Sequence, residues 1–225
     1  MSPHRLVVFG GTFDPPQRAH VALPREAARR LECTKLLYVP TSANPLKVAQ
    51  PTPAVHRLAM LRLALRDVPE AEISLMELER PAPAYTVDTL LALRTRFGPA
   101  TRMRLLMGSD AALSFPQWHR PQAILDLATP AVMLRPPDTR ERFGAAMRRL
   151  HDPLQADFWM RCLIDVPMLD VSATEVRRRI ASGEPVGDLL SPEVERYIAA
   201  NGLYGRPSPP DGSPGDACGE DGSAR

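Results

Sequence analysis

The sequence predicts an α/β fold, a Rossmann-like doubly wound parallel sheet with a small helical C-terminal part. Six short apolar runs are typical of buried strands: Leu6–Phe9, Leu36–Val39, Ile73–Leu75, Met103–Met107, Ala131–Leu134 and Leu163–Leu169. Helical patterns lie between several of them, at Ala22–Leu31, Val55–Arg66, Val87–Phe97 and Phe143–Leu150. Strands that alternate with helices form parallel sheets covered on both faces. The first two strands start about thirty residues apart, as in a βαβ unit.

The 225-residue chain is predicted to contain one folded domain, residues 1–205. Hydrophobic residues make up 44% of the chain, which is enough for a substantial core. Two more helices are predicted at Ser172–Ala181 and Pro192–Ala200, and Asn201-Gly202 would end the second. Residues 206–225 are mostly Pro, Gly, Ser and acidic residues with almost nothing to bury, so we expect a disordered tail.

Composition excludes several classes of protein. The net charge is only +2, so no global field would recruit nucleic acid or an anionic membrane. Cys33, Cys162 and Cys218 are widely spaced and form no Cys-x-x-Cys pair, so they indicate neither a zinc site nor a disulfide framework. The sequence shows no secretory signal and no apolar run long enough to cross a bilayer. We therefore expect a cytoplasmic protein with small-molecule ligands, and the oligomeric state stays open.

The most informative segment runs from Gly10 to His20, with the sequence GGTFDPPQRAH. It follows the first predicted strand and precedes the first predicted helix. Two adjacent glycines remove side chains that would keep an anion away from backbone N–H groups, and the helix start adds unpaired donors with a partial positive charge. A histidine at this place can donate to phosphoryl oxygens. The segment predicts a nucleotide triphosphate site, although the glycines could also serve only a tight turn.

A series of motifs in a fixed order gives the chain a family resemblance. Gly10–Pro15 matches the opening signature of the family residue for residue, and Ser172–Arg177 matches its second signature, S-x-T-x-x-R. Further matches stand between them in the right order: Asn44–Lys47, Arg57 with Met60, Tyr85–Leu90, Gly108–Asp110, Trp118 and Arg135-Pro136. From Leu6 to about Tyr204, the chain resembles the bacterial nicotinate-nucleotide adenylyltransferases of the nucleotidyltransferase superfamily.

The resemblance implies an adenylyl transfer of NAD biosynthesis. The phosphate of nicotinate mononucleotide attacks the α-phosphorus of ATP and gives deamido-NAD and pyrophosphate. Because the nucleophile is already an anion, catalysis should depend on positioning and charge neutralisation, and Mg²⁺ should arrive with ATP. Two alternatives stay open: transfer to nicotinamide mononucleotide or phosphopantetheine, and a nucleotide-binding protein with weakened catalysis.

The same resemblance implies a set of site residues. The implied catalytic residues are His20, Lys47 and Arg177. The implied ATP-binding residues are Gly10, Gly11, Thr12, Phe13, Gln17, His20, Gly108, Asp110, Ser172, Thr174 and Arg177. The implied substrate-binding residues are Asn44, Lys47, Tyr85, Thr86, Trp118 and Arg135, and no protein metal ligands are expected.

Several of these residues also have a purely structural interpretation. Ser172 and Glu175 fit a capping box, which needs no ligand. Asp110 and Thr86 could cap helices, and Trp118 could be a packed core residue. Both interpretations stay open at each of these positions.

The first signature departs from the family at its end. The superfamily usually has H-x-G-H or T-x-G-H there, whereas this chain has Gln17-Arg18-Ala19-His20. Gln17 can donate a neutral hydrogen bond but cannot become cationic. A charge-assisted bond is worth about 1.5–3 kcal/mol against about 1 kcal/mol for a neutral one. The replacement should therefore slow the step by about tenfold or somewhat more. Ala19 is expected to add a methyl group where backbone and phosphate approach each other.

Overall fold

The computed structural model describes residues 4–41, 51–167 and 172–205. Its five strands are all parallel and pair in the order β3-β2-β1-β4-β5. They are β1 (Arg5–Gly11), β2 (Lys35–Pro40), β3 (Ala71–Ile73), β4 (Arg102–Gly108) and β5 (Thr129–Met133). The chain builds outward from β1 to β3 and then returns to the other side of β1 with β4. This order confirms the predicted doubly wound sheet and places its switch point between β1 and β4.

Helices connect the strands and form the C-terminal part. They are α1 (Arg18–Arg30), α2 (Ala54–Ala64), α3 (Thr86–Phe97), α4 (Ser109–Ser114), α5 (Pro121–Leu127), α6 (Arg140–Leu150), α7 (Pro153–Arg161), α8 (Ala173–Ala181) and α9 (Pro192–Ala200). The six predicted helices are confirmed. A helix near α4 was predicted only under the alternative that Asp110 is a cap, and α5 and α7 were not predicted. None of the described helices is both long and apolar enough to cross a membrane.

The sixth predicted strand, Leu163–Leu169, is wrong in its described part. Leu163 makes only an isolated parallel bridge with Val132 of β5. Pro167 has no backbone N–H to extend a ladder. Beyond this single bridge, Val166 is buried in the core on the α1 face of the sheet, so packing explains the apolar character of the run without a sixth strand. Residues 168–171 lie outside the described part.

Both faces of the sheet are buried. Leu6 and Val8 of β1 pack in one core with α3, α5 and α6, while Val7 and Phe9 pack on the other face with α1. This alternation follows from the two-residue period of a strand. Because both faces are covered, a ligand can reach the sheet only at the ends of its strands.

The C-terminal helices pack on α2 and reach the start of α1. Met60 of α2 is fully buried with Val176 of α8 and Val194 of α9, so this position of the family pattern is a core residue. The backbone N–H of Arg18 donates to the Leu189 carbonyl at 2.8 Å, and the Arg18 Nε donates to the Leu190 carbonyl at 2.8 Å. The segment between α8 and α9 is thereby held at the start of α1.

Candidate active site

The turn after β1 lies at the switch point, and its two glycines differ. A Cβ at Gly10 would meet no atom closer than the Val39 carbonyl oxygen at 3.9 Å, and Gly10 is exposed. A Cβ at Gly11 would lie 3.1 Å from the Phe13 ring. Neither glycine has a positive φ. Packing therefore explains Gly11, whereas nothing in the described fold requires glycine at position 10, which leaves room for a ligand to approach the backbone.

His20 is fixed as a neutral hydrogen-bond donor. The backbone N–H of Gln17 donates to Nδ1 of His20 at 3.0 Å, and the Tyr38 hydroxyl donates to the His20 carbonyl at 2.8 Å. The Phe13 ring packs edge-on against the imidazole, with the ring centroids 5.4 Å apart. Burial and the positive charge of Arg135 lower the pKa of His20 to about 3. Since Nδ1 accepts, the single proton of the neutral ring lies on Nε2.

The two unusual residues of the first signature have different surroundings. Gln17 is 2% exposed, and its Nε2 has no hydrogen-bond partner among the described residues. Ala19 is buried in the core with Leu23 and Ala27, so the expectation that its methyl group faces the phosphate path is wrong. The helix turns Ala19 toward the sheet, away from the exposed face of the turn.

Arg57 of α2 ties together three segments beneath the turn. It is 1% exposed, and its Nη1 donates to the carbonyls of Thr12 at 2.7 Å and Thr41 at 2.8 Å. Its Nε donates to the Thr52 carbonyl at 2.8 Å. Burial lowers the pKa of Arg57, against the stabilising charge of Asp14. The sequence placed Arg57 in the family pattern but assigned it no contact, because all three acceptors are backbone atoms.

Replacing Arg57 with methionine is expected to lower the free energy of unfolding by about 3 kcal/mol or more. Three partly buried carbonyls would lose a donor, and each group left unsatisfied costs about 1–3 kcal/mol. Urea unfolding should show a lower midpoint at an unchanged slope. Arg62→Met, an exposed position on the same helix, is the matched control and should stay within about 0.5 kcal/mol of the wild type. Equal losses in the two variants would contradict this role of Arg57.

Asp14 joins the two signatures and the C-terminal end. Its backbone carbonyl accepts a hydrogen bond from Nη1 of Arg177 at 2.7 Å. Its carboxylate accepts from the backbone N–H of Thr52 at 3.0 Å and from the Tyr204 hydroxyl. Asp14 is only 8% exposed. Segments that are far apart in the sequence therefore meet at one residue of the first turn.

The start of α8 places Arg177 toward this turn. Ser172 Oγ accepts from the Glu175 backbone N–H at 3.0 Å, which confirms Ser172 as the N-cap. The carboxylate of Glu175 binds Arg178 and Arg179 instead of the start of the helix, so the reciprocal half of the predicted capping box is wrong. These two guanidinium groups lower the pKa of Glu175 to about 2, because they stabilise its charged form. Arg178 and Arg179 thus lie with Glu175 on the outer face of α8, whereas Arg177 points toward Asp14.

Thr174 completes the described part of the second signature. It is exposed, and its Oγ1 accepts from Nη2 of Arg177 at 3.4 Å. The first helical turn of α8, with Ser172 as its N-cap, lies near the turn after β1, because Arg177 of α8 donates to the Asp14 carbonyl. An anion at this helix start would meet both backbone donors and a guanidinium group.

The carboxyl end of β4 contributes an acidic and a basic side chain. A Cβ at Gly108 would collide with the Asp110 carboxylate and lie 3.0 Å from Nε of Arg135, so only glycine lets both side chains fold over it. Asp110 and Arg135 approach to 3.9 Å and are 70% and 40% exposed. The N-cap of α4 is Gly108, so the alternative that Asp110 caps this helix is wrong. Its carboxylate stays accessible.

The segments predicted to bind the acceptor lie together. The Tyr85 ring stacks on His119, with the ring centroids 4.2 Å apart, so residues 85–86 and 118–119 are neighbours. Helix α3 begins at Thr86, but Tyr85 occupies the N-cap position, so the interpretation of Thr86 as a cap is wrong. Trp118 is half-buried and packs against Phe115, with the ring centroids 5.3 Å apart. Part of the indole therefore remains accessible.

Two candidates cannot be placed, and no metal cluster is found in the described ranges. Asn44 and Lys47 lie outside the described residues. Within residues 4–41, 51–167 and 172–205, no group of three or more His, Cys, Asp or Glu side chains could hold a metal ion.

A glycine turn at the switch point of a doubly wound sheet, faced by a histidine and an arginine, defines a nucleotide-binding α/β protein. Residues 8–179 match the family model described as cytidylyltransferase-like, which places the chain among the nucleotidyltransferases. Two curated relatives, both named probable nicotinate-nucleotide adenylyltransferase, come from Thermomicrobium roseum and Albidiferax ferrireducens. The first is 37% identical over 89% of this chain and 91% of its own length. The second is 40% identical over 89% of this chain and 98% of its own length. This chain belongs to the nicotinate-nucleotide adenylyltransferase family.

Solved structures support the fold. The nicotinic acid mononucleotide adenylyltransferase of Plasmodium falciparum, complexed with NaAD, superposes with a TM-score of 0.68 at 18% identity. The alignment covers 89% of this chain and 97% of that one. A putative nicotinate-nucleotide adenylyltransferase from Vibrio parahaemolyticus gives a TM-score of 0.63 at 15% identity over 91% of this chain. The doubly wound architecture is thus shared with these proteins.

Proposed function

We propose that this protein transfers the adenylyl group of ATP to nicotinate mononucleotide. A phosphate oxygen of the mononucleotide attacks the α-phosphorus, the bond from that phosphorus to the bridging oxygen of the β-phosphate breaks, and pyrophosphate leaves with the electron pair. The products are deamido-NAD and pyrophosphate. The observation that best supports this proposal is the bond from Arg177 to the Asp14 carbonyl, because it brings the two signatures to one site.

The triphosphate would lie between the turn after β1 and the start of α8. The exposed backbone at Gly10 lets phosphate oxygens approach, with the N–H groups of Gly10, Gly11, Thr12 and Phe13 as the proposed donors. Nε2–H of His20 would donate to the α-phosphoryl group, and Arg177 with the α8 start would bind the β- and γ-phosphates. Mg²⁺ would enter as part of the Mg–ATP substrate.

The rest of the site would bind the ribose and the acceptor. Asp110, whose exposed carboxylate lies over Gly108, would accept hydrogen bonds from ribose hydroxyls. Tyr85, Thr86 and Trp118 would bind the nicotinate ring and its carboxylate, since an accessible indole can stack on a pyridine ring. The proposal also keeps Arg135, Asn44 and Lys47 as substrate contacts, residues 1–205 as the catalytic domain, and a cytoplasmic location. The predicted tail, residues 206–225, lies outside the described residues.

Purified protein with Mg–ATP and nicotinate mononucleotide should release pyrophosphate and form deamido-NAD, which chromatography with mass detection can quantify. Nicotinamide mononucleotide and phosphopantetheine, offered in the same mixture, test the acceptor. If the protein prefers one of these two acceptors, nicotinate mononucleotide is not its substrate and the proposed acceptor is wrong. Calorimetric binding of ATP without turnover, while a control enzyme forms product, would favour a nucleotide-binding protein and contradict the proposed reaction.

Gln17 is expected to control the rate through its buried side-chain donor. The change Gln17→Leu removes the unpaired Nε2 and should lower kcat by about tenfold, because a hydrogen bond to a charged group is worth about 1.5–3 kcal/mol. Gln17→His should raise kcat by about tenfold at pH values low enough for the new imidazole to carry a positive charge. Steady-state kinetics measure both variants. Unchanged kcat in both would contradict the placement of Gln17 beside the phosphates.

A further inference from the structure

Tyr204 lies at the end of the described chain, yet its side chain reaches the first turn. Asn201 ends α9, and Gly202, with a φ of 59°, reverses the chain direction. The backbone N–H of Leu203 returns to the Ile198 carbonyl at 3.1 Å. This compact reversal places the Tyr204 hydroxyl on the carboxylate of Asp14. Neither the proposed reaction nor the comparisons give Tyr204 a role.

We propose that Tyr204 is a positioning residue for ATP. Its hydroxyl holds the carboxylate of Asp14, and Asp14 in turn presents its carbonyl to Arg177. The proposal rests on the proposed function, because it assigns Tyr204 to the ATP side of that site. Tyr204 does not touch the reacting atoms and acts through the shape of the turn.

The burial of Asp14 explains why one hydroxyl matters. A buried carboxylate oxygen that loses its donor is costly, so the residue tends to rotate or admit water. The other described donor to this carboxylate is the Thr52 backbone N–H, at the far end of the segment that follows β2. A shift of the Asp14 backbone that brings the carboxylate to water would also move the carbonyl that accepts from Arg177. Loss of the Tyr204 hydroxyl therefore disturbs both signatures at once.

The hydroxyl of Tyr204 is a dependable donor. Burial and the bond to Asp14 raise the pKa of Tyr204, so the phenol keeps its proton at any working pH. The side chain is half-buried and packs against the core of the C-terminal helices. The ring would keep this packing in the variant Tyr204→Phe, which removes the oxygen alone.

Tyr197 provides a matched control. It lies on α9, is also half-buried against the same core, and its hydroxyl contacts Nδ1 of His56 at 3.0 Å. Tyr197→Phe removes the hydrogen bond between the C-terminal part and His56 of α2. Tyr204→Phe removes the hydrogen bond between the C-terminal part and Asp14 of the turn after β1. A purely structural effect should be similar in the two variants.

The test compares the full-length wild type, Tyr204→Phe and Tyr197→Phe. We expect Tyr204→Phe to raise both the Kd of Mg–ATP, measured by calorimetry, and the KM for ATP by about tenfold, which corresponds to about 1.4 kcal/mol. Amide hydrogen exchange in the ligand-free protein should accelerate in residues 10–20 and 172–178. Tyr197→Phe should change neither ATP affinity nor exchange in these two segments.

Equal ATP affinity in the wild type and Tyr204→Phe would overturn the inference, and so would faster exchange confined to residues 198–205. Similar losses of ATP affinity in both tyrosine variants would also overturn it, since they would indicate general loosening. If the wild type binds ATP but forms no deamido-NAD, the proposed function fails, while ATP affinity and hydrogen exchange still decide the role of Tyr204.

Discussion

The His20→Ala variant is expected to lose about two to three orders of magnitude in kcat. Removal of one preorganised donor from a site where charge develops typically costs about that much. His20 is preorganised here, because the Gln17 backbone N–H fixes Nδ1 and burial keeps the ring neutral with its proton on Nε2. Pyrophosphate release under saturating substrates measures kcat directly.

The matched control for this loss is His4→Ala. His4 is exposed beside the start of β1, at the opposite end of the strand from the turn, and packs edge-on against Phe97. Its replacement should leave kcat within about twofold, as expected for a surface change. Removal of a donor that acts mainly in the transition state lowers kcat and kcat/KM equally. A His20→Ala effect confined to KM, or a fall in kcat below about fivefold, would contradict the proposed contact with the α-phosphoryl group.

The Arg177→Ala variant is expected to lower kcat/KM for ATP by about two to three orders of magnitude. The guanidinium group has two functions in this site: it would bind the phosphates and it holds the first turn through Asp14. Hydrogen bonds to charged groups are worth about 1.5–3 kcal/mol each, and loss of two bonds of about 1.5–2 kcal/mol each gives this range. Initial rates at varied ATP and fixed nicotinate mononucleotide measure the effect.

The neighbouring arginine gives a sharp control. Arg178 lies on the outer face of α8 and binds Glu175 and Glu184, so Arg178→Ala should change kcat/KM by less than about threefold. Arg177→Lys keeps the charge but loses the forked donor, and should fall between the wild type and Arg177→Ala. If Arg178→Ala proves as damaging as Arg177→Ala, the inward direction of Arg177 is not what matters.

The sequence predicted the parts of the fold whose signals are local. The apolar runs of β1, β2, β4 and β5 stand out because buried parallel strands are continuous and hydrophobic. The glycine turn and the Ser172 cap also carry their signals within a few residues. Helices α4 and α5 have six and seven residues, which is too short for a clear helical period.

The contacts that hold the candidate site together could not be predicted in this way. Asp14 and Tyr204 are 190 positions apart, and Arg57 binds carbonyl oxygens that every residue type possesses. Glu175 fits a capping box by spacing, but two nearby guanidinium groups offer stronger, charge-assisted bonds. Such choices depend on what the fold brings together, and a motif records only residue types and distances along the chain.

A crystal structure of the protein with Mg²⁺ and a non-hydrolysable ATP analogue is the most direct test of the central claim. The account predicts that Nε2 of His20 lies within hydrogen-bond distance of an α-phosphoryl oxygen, with the terminal phosphates at Arg177 and the first turn of α8. An analogue bound elsewhere, with no contact to His20 or to the start of α8, would contradict it.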